Sequence, residues 1–382
     1  MKKSKFKLFF FVFVLLMLLM CSLEKPVEVD GDGFIRIVVI DTTKIFSENK
    51  LNPVAECRVR IFNTDYDFLT EYYTDENGNL EVTDLIKGHY KISADKKYEN
   101  YILNGSTDLD IYKSADESID TIKVDLKKLS KIVINEVYYC GVQNGTRYYE
   151  DQFVELYNNS DSVQYLDGII VCRLNSKQPV EKHVLAEKYF QFPGEGTEFP
   201  IQPGSFVVLA QDAIDHTAKA GNSIDLSNAD FEFYTSLGGD MNNRRVHDII
   251  NLDVNAKSSS DFRLNLSKDE ICILRVDNFA EVPDYELDDI IFKLFYIFDI
   301  IDGVEFSPDS KDKKSLDSYI DAGFAGYKVN CYSGKAIERQ NPETGEPGYD
   351  NNNSTFDFVT IEHPTPGYQH SQDIVVSREG PL

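Results

Sequence analysis

Between Phe34 and Val124 apolar residues recur at every second position in short runs separated by turn residues, and no helical stripe is present. Residues 34–40 open the pattern. In residues 55–62 Ala55, Cys57, Val59 and Ile61 share one face, and Glu56, Arg58 and Arg60 share the other. Asn77-Gly78 marks a turn, because both residues tolerate positive φ. A second series begins at residues 132–139 and continues through 151–157, 169–171, 201–210, 264–266, 270–274, 301–304, 334–342 and 356–359. Short strands with turn signals at many junctions predict antiparallel sandwiches. The expected fold is all-β, with two β-sandwich domains in tandem over 32–127 and 130–371, hinged at Lys127-Lys128-Leu129-Ser130.

The start of the chain breaks this pattern. Lys2, Lys3, Lys5 and Lys7 precede an unbroken apolar run over 8–20, which ends at Cys21 and turns abruptly polar. This is the form of a secretory signal over residues 1–20. Its 13 apolar residues fall short of the ~20 needed to span a bilayer. A cysteine directly after such a run resembles a bacterial lipobox, although Met20 stands where that pattern prefers a small residue. The resemblance implies that Cys21 is the lipid anchor, followed by a linker over 21–31. Residues 372–382 read as a tail.

Two further resemblances lie downstream. Thr74-Asp75-Glu76-Asn77-Gly78-Asn79-Leu80, then Asp84-Leu85 and Gly88-His89-Tyr90-Lys91-Ile92, resemble the pattern of the Cna-B and carboxypeptidase-regulatory-like families of transthyretin-type sandwiches. Nothing catalytic is implied by it. The ordered set I-x-I-N-E-V from Ile132, F-V-E-L-Y-N from Phe153, Leu166-Asp167-Gly168, P-G-S-F-V-V-L from Pro203, Asp302-Gly303-Val304, A-I-E-R-Q-N-P from Ala336 and Pro364-Thr365-Pro366-Gly367 resembles the lamin-tail domain, an immunoglobulin-like fold. Its excess length falls into insertions near 212–260 and 277–298. Signal, first sandwich and second sandwich together resemble Bacteroidetes lipoproteins of unknown function, often encoded beside TonB-dependent receptors. The resemblance implies a non-enzymatic outer-membrane lipoprotein, on the periplasmic or cell-surface side, that binds a ligand or protein partner and serves as an accessory to such a receptor. The alternative is a structural or adhesive cell-surface protein, and a hydrolase ranks behind both.

Charge and chemistry narrow this further. A net charge of −25 disfavours nucleic acid, whose binding rests on Lys and Arg neutralising phosphates. Cys57, Cys140, Cys172, Cys272 and Cys331 are widely spaced and lack any C-x-x-C, so neither a zinc cage nor an assignable disulfide emerges. Nucleophile-elbow, phosphate-loop and zinc-protease motifs are absent. Asp212-x-x-Asp215-His216 lacks the other ligands of a calcium loop. No catalytic residue, cofactor or metal is expected. Asn135, Glu136, Glu155, Asn158, Glu338 and Arg339 read as structural polar residues of a sandwich. Tyr138-Tyr139 and Tyr148-Tyr149 are candidates for an aromatic platform. The first insertion is the expected partner-binding surface, through Phe231, Phe233, Tyr234, Arg244 and Arg245, because interface cores enrich aromatics and Arg.

Overall fold

The computed structural model describes residues 31, 33–43, 52–111, 117–236, 240–253 and 261–372. The expected signal, Cys21, most of its linker and residues 373–382 lie outside them. The described chain is nearly all strand and forms two large curled sheets around separate cores, so the expected all-β class holds.

In the first unit, Gly33–Asp41, Asn52–Pro53 and Asn79–Leu85 form one layer, and Arg58–Asn63, Phe68–Tyr73, Gly88–Tyr98 and Tyr101–Ile111 form the other. Glu117–Lys128 joins them. It runs parallel to Gly33–Asp41 as far as Val124, then pairs antiparallel with Tyr101–Ile111 from Asp125 onward. The alternation explains the core: Ile35, Ile37 and Val39 are buried and meet Val59, Ile61, Ile92 and Val124. Ala55 falls in the turn before Arg58–Asn63 and is only partly buried. At the Asn77-Gly78 turn, Gly78 adopts φ of 72°, and the Asp75 carboxylate accepts the amides of Asn77 and Asn79 at 2.8 Å each.

The second unit is built on a 13-stranded sheet, with two small two-stranded sheets beside it. Its order runs from Ile300–Phe306 through Asp269–Leu274, Ile170–Leu174, His183–Gln191, His247–Asn251, Phe231–Tyr234, Phe206–Ala210, Phe153–Asn158, Ile132–Tyr138 and Ala336–Arg339 to Phe358–Ile361. The sheet curls until Ile300–Phe306 lies beside Ile132–Tyr138, where the Asp302 carboxylate accepts the Ile134 amide at 2.8 Å. Both expected insertions contribute strands to it. Phe231–Tyr234 and His247–Asn251, paired in parallel, close the gap between Phe206–Ala210 and His183–Gln191. The hairpin of Asp284–Leu287 and Ile290–Tyr296 hangs on His183–Gln191.

The connection between the units is not a free hinge. Lys127 is buried, and its Nζ lies 3.1 Å from the Ile320 carbonyl and 2.5 Å from Asn352 Oδ1. Asn104 Nδ2 donates to the carbonyls of Asn351 and Asn352 at 2.8 and 2.9 Å. Arg58 reaches Asn351 Oδ1 at 3.2 Å, and the Arg60 guanidinium sits 4.5 Å from the centre of the Phe356 ring. The polar face of Arg58–Asn63 therefore packs toward the second unit.

Candidate functional site

Where the units meet, they leave a cleft. Phe62 and Lys91 are register partners on neighbouring strands and so project from one face of the first unit. Phe324 and Phe356 of the second unit oppose them. Two adjoining cavities of about 260 and 230 Å³ share Phe62, Lys91, Phe324, Thr355 and Phe356. A third, of about 660 Å³, adjoins the first through Lys313 and Lys314 and is lined also by Arg173, Lys177 and Lys268.

Cations gather on one ring here. The ammonium groups of Lys91, Lys314 and Lys268 lie 4.8, 4.9 and 5.7 Å from the centre of Phe324, within range of its quadrupole. Lys314 is held 2.9 Å from Glu305 and 3.6 Å from Asp321. Burial by itself lowers the Lys314 pKa, but Asp321 and Glu305 outweigh it and lift the group above its ordinary value. Lys91 lies 3.3 Å from the exposed Asp108, and Lys268 lies 3.6 Å from Asp312. Lys313 is exposed and makes no ion pair among the described residues. Burial, then Glu305 and Asp269, push the Glu270 carboxyl up to about 8, so it adds little negative charge at neutral pH. The arrangement can hold an anionic group beside apolar ring surface. Sequence reasoning missed it because its parts are up to 294 residues apart, from Phe62 to Phe356. The legible signal was Lys311-Asp312-Lys313-Lys314, three lysines in four residues of an acidic chain.

The residues singled out in the first insertion do not reach this cleft. Phe231 and Phe233 are 4% and 1% exposed, which corrects their expected role as partner contacts. Phe233 stacks on Phe262 with ring centres 3.9 Å apart, and Phe231 packs edge-on to Phe192 at 4.9 Å. Tyr234 is half-buried, whereas Arg244 and Arg245 are exposed. Of the aromatic platforms, Tyr138 and Tyr139 are fully buried, which corrects that expectation, whereas Tyr148 and Tyr149 are half-buried and Tyr148 bonds His216 Nδ1 at 2.7 Å. Asp212 and His216 are engaged with backbone, Asp212 accepting the Met241 amide and His216 Nε2 meeting the Asp212 carbonyl, each at 2.9 Å.

The six polar residues of the second unit are all buried. Glu155, Glu136 and Glu338 are register partners on three adjacent strands. The segment 364–370 covers them. Glu136 accepts the Thr365 amide at 3.0 Å, Glu155 the Gly367 amide at 2.5 Å and Glu338 the His370 amide at 2.7 Å. Burial and the neighbouring carboxylates Glu155 and Glu338 push Glu136 well up, and burial above all pushes Glu155 up to about 8. Arg339 reaches Asp302 at 2.9 Å, Asp350 at 3.2 Å and Asp357 at 3.5 Å. Asn158 Nδ2 donates to the carbonyls of Ser162 and Ile201 at 2.9 Å each.

The motifs from Pro203 to Pro364 now stand in a defined fold, and over them one family model matches. That family is DUF4876, a protein family of unknown function, and the matched residues are 202–287 and 296–365. The match to DUF4876 thus lies wholly in the second unit. A crystal structure of a DUF4876 family protein from Bacteroides thetaiotaomicron is similar to this chain, with a TM-score of 0.54 and 23% identity over 85% of this chain and 94% of that one. That likeness shows the fold. The major pilin subunit of Bacillus cereus is similar at a TM-score of 0.21 and 13% identity, over 46% of this chain and 52% of that one, a likeness that carries no argument. No curated protein matches the chain.

Proposed function

We propose that this protein is an exported, non-enzymatic binding protein of the DUF4876 family, anchored to the outer membrane through Cys21, whose interdomain cleft holds an anionic ligand against apolar surface. One observation carries the reading: Lys91, Lys268, Lys313 and Lys314 converge beside Phe324 in a chain of net charge −25. Lysines gathered in an acidic molecule, one of them without an ion pair among the described residues, favour the approach of an anion, and clefts between domains are common ligand positions. The lamin-tail-like and Cna-B-like assignments, and a role beside a TonB-dependent receptor, belong to the same proposal. The test is retention on immobilised polysaccharides with and without uronic acids. Uronate-bearing polymers should retain the protein, and Lys91→Glu with Lys313→Glu should weaken retention roughly tenfold, about 1.4 kcal/mol. Retention by neither polymer, or retention indifferent to the variants, would defeat the reading.

A structural or adhesive role is favoured by a different feature. Phe68–Tyr73 ends its sheet, and Phe68, Leu69 and Tyr73 are 57%, 47% and 60% exposed. Such an edge can template pairing with another chain. Concentration-dependent assembly abolished by Leu69→Lys would support this second reading, and a monomer at all concentrations would remove it.

A further inference from the structure

Cys172 lies in Ile170–Leu174 and Cys272 in Asp269–Leu274, neighbouring antiparallel strands on which the two residues are direct register partners. Opposed residues of an antiparallel pair have Cα atoms roughly 4.5 or 5.5 Å apart, and both separations lie within the roughly 4.4–6.8 Å that a disulfide requires. The side chains share one face, since both belong to the core layer containing Ile170, Leu174 and Leu274. The other described cysteines are placed differently. Cys57 is in the core of the first unit, Cys140 Sγ turns to the Lys335 carbonyl at 3.0 Å, and Cys331 is exposed.

We infer that Cys172 and Cys272 are joined by a cross-strand disulfide in the mature exported protein. The inference rests on the export reading above only for its oxidant, a disulfide-bearing thiol oxidoreductase outside the cytoplasm. The thiolate of one cysteine attacks a sulfur of the oxidant's disulfide, forming a mixed disulfide and expelling one oxidant thiolate. The thiolate of the second cysteine then attacks the protein-side sulfur, forming the Cys172–Cys272 bond and releasing the oxidant as a dithiol. Two electrons pass to the oxidant, and the two thiol protons pass to its sulfurs through solvent. Both cysteines are 0% exposed in the folded chain, so the bond forms during folding and is then shielded from reductants. It closes the chain between two strands that are 100 positions apart, and the restriction this places on the unfolded chain stabilises the fold.

The full chain, unfolded and then refolded with oxidised and reduced glutathione, should yield a linked peptide pair containing Cys172 and Cys272 after maleimide blocking under denaturing conditions, digestion and mass spectrometry. The oxidised protein should melt several degrees above the reduced one, and this difference should vanish in Cys172→Ala with Cys272→Ala. Complete alkylation of both cysteines after oxidative refolding, or linkage of Cys172 to a different cysteine, would overturn the inference. A bond that forms on refolding but is missing from chain recovered after expression with its own signal would uphold the pairing and count against the export reading instead.

Discussion

Glu155 shows how a residue suited to a surface comes to lie in a core. Its side chain accepts hydrogen bonds from Asn135 Nδ2 at 3.1 Å and from the Gly367 amide, and burial keeps it protonated to about pH 8. Its folded-state pKa is raised from 4.5, so its contribution is complete below about pH 4.5 and is lost as pH rises through about 8. Glu155→Gln should therefore melt like the wild type near pH 4.5 and above it at pH 8.5, as thermal unfolding across that range would reveal. A wild-type stability that instead rises over that interval at this site would refute the assignment. Arg339 is the opposite case, a permanent charge compensated by Asp302, Asp350 and Asp357 and by the Ile134 carbonyl, which accepts from Nε at 2.9 Å. Arg339→Met strands these carboxylates and should cost ~3–5 kcal/mol in denaturant unfolding. Lysine should not rescue it, because one ammonium cannot reproduce the planar fork. Both roles were legible in outline, since a sandwich interior has few other uses for Glu338-Arg339, but the identity of Arg339's partners was not. Asp302 and the Ile134 carbonyl lie 37 and 205 positions away, whereas Asp350 and Asp357 share one nearby segment with no strand or motif pattern to mark it.

The element that sequence reading misplaced is the first insertion. Aromatic, glycine and arginine content suggested a binding loop, yet Phe231–Tyr234 completes the sheet. The usable signal was parity. Phe231 and Phe233 flank Glu232 in a period-two pattern and share one face, as a strand with a core beneath it requires. What parity does not tell is that Glu232 is buried as well, with its carboxylate taking the Ala213 amide at 3.0 Å and the Asn243 amide at 2.5 Å. Phe233→Ala removes a ring stacked on Phe262 and set edge-on to Phe190, and should destabilise the protein by ~3–5 kcal/mol. Arg244→Ala with Arg245→Ala should leave stability within about 0.5 kcal/mol, since both are exposed. Chemical denaturation of the two variants separates scaffold from surface, and a large loss in the arginine variant would show that the segment packs on its own unit.

At the scale of the molecule, alternation along Gly33–Asp41 and the turn at Asn77-Gly78 told what each strand buries, but not what lies beyond the polar face of Arg58–Asn63. The missing partner is Asn351-Asn352-Asn353, which reads as a loop and is 1%, 4% and 3% exposed. Asn104→Ala should leave the carbonyls of Asn351 and Asn352 without that donor and cost ~1–3 kcal/mol. The loss should appear as earlier separation of the two units by limited proteolysis near residues 129–131, and unchanged cleavage would show that the interface draws its strength elsewhere. The parallel pairing of Gly33–Asp41 with Glu117–Val124 has a mechanical consequence. The first strand leads back toward the proposed anchor and the second leads on to the other unit, so tension between membrane and second unit pulls these neighbours lengthwise in opposite directions. Such a load falls on the whole ladder at once, in shear, rather than opening it one bond at a time. A protein tethered in this way would resist drag on whatever it holds, with its firmest grip set in the domain nearest the membrane.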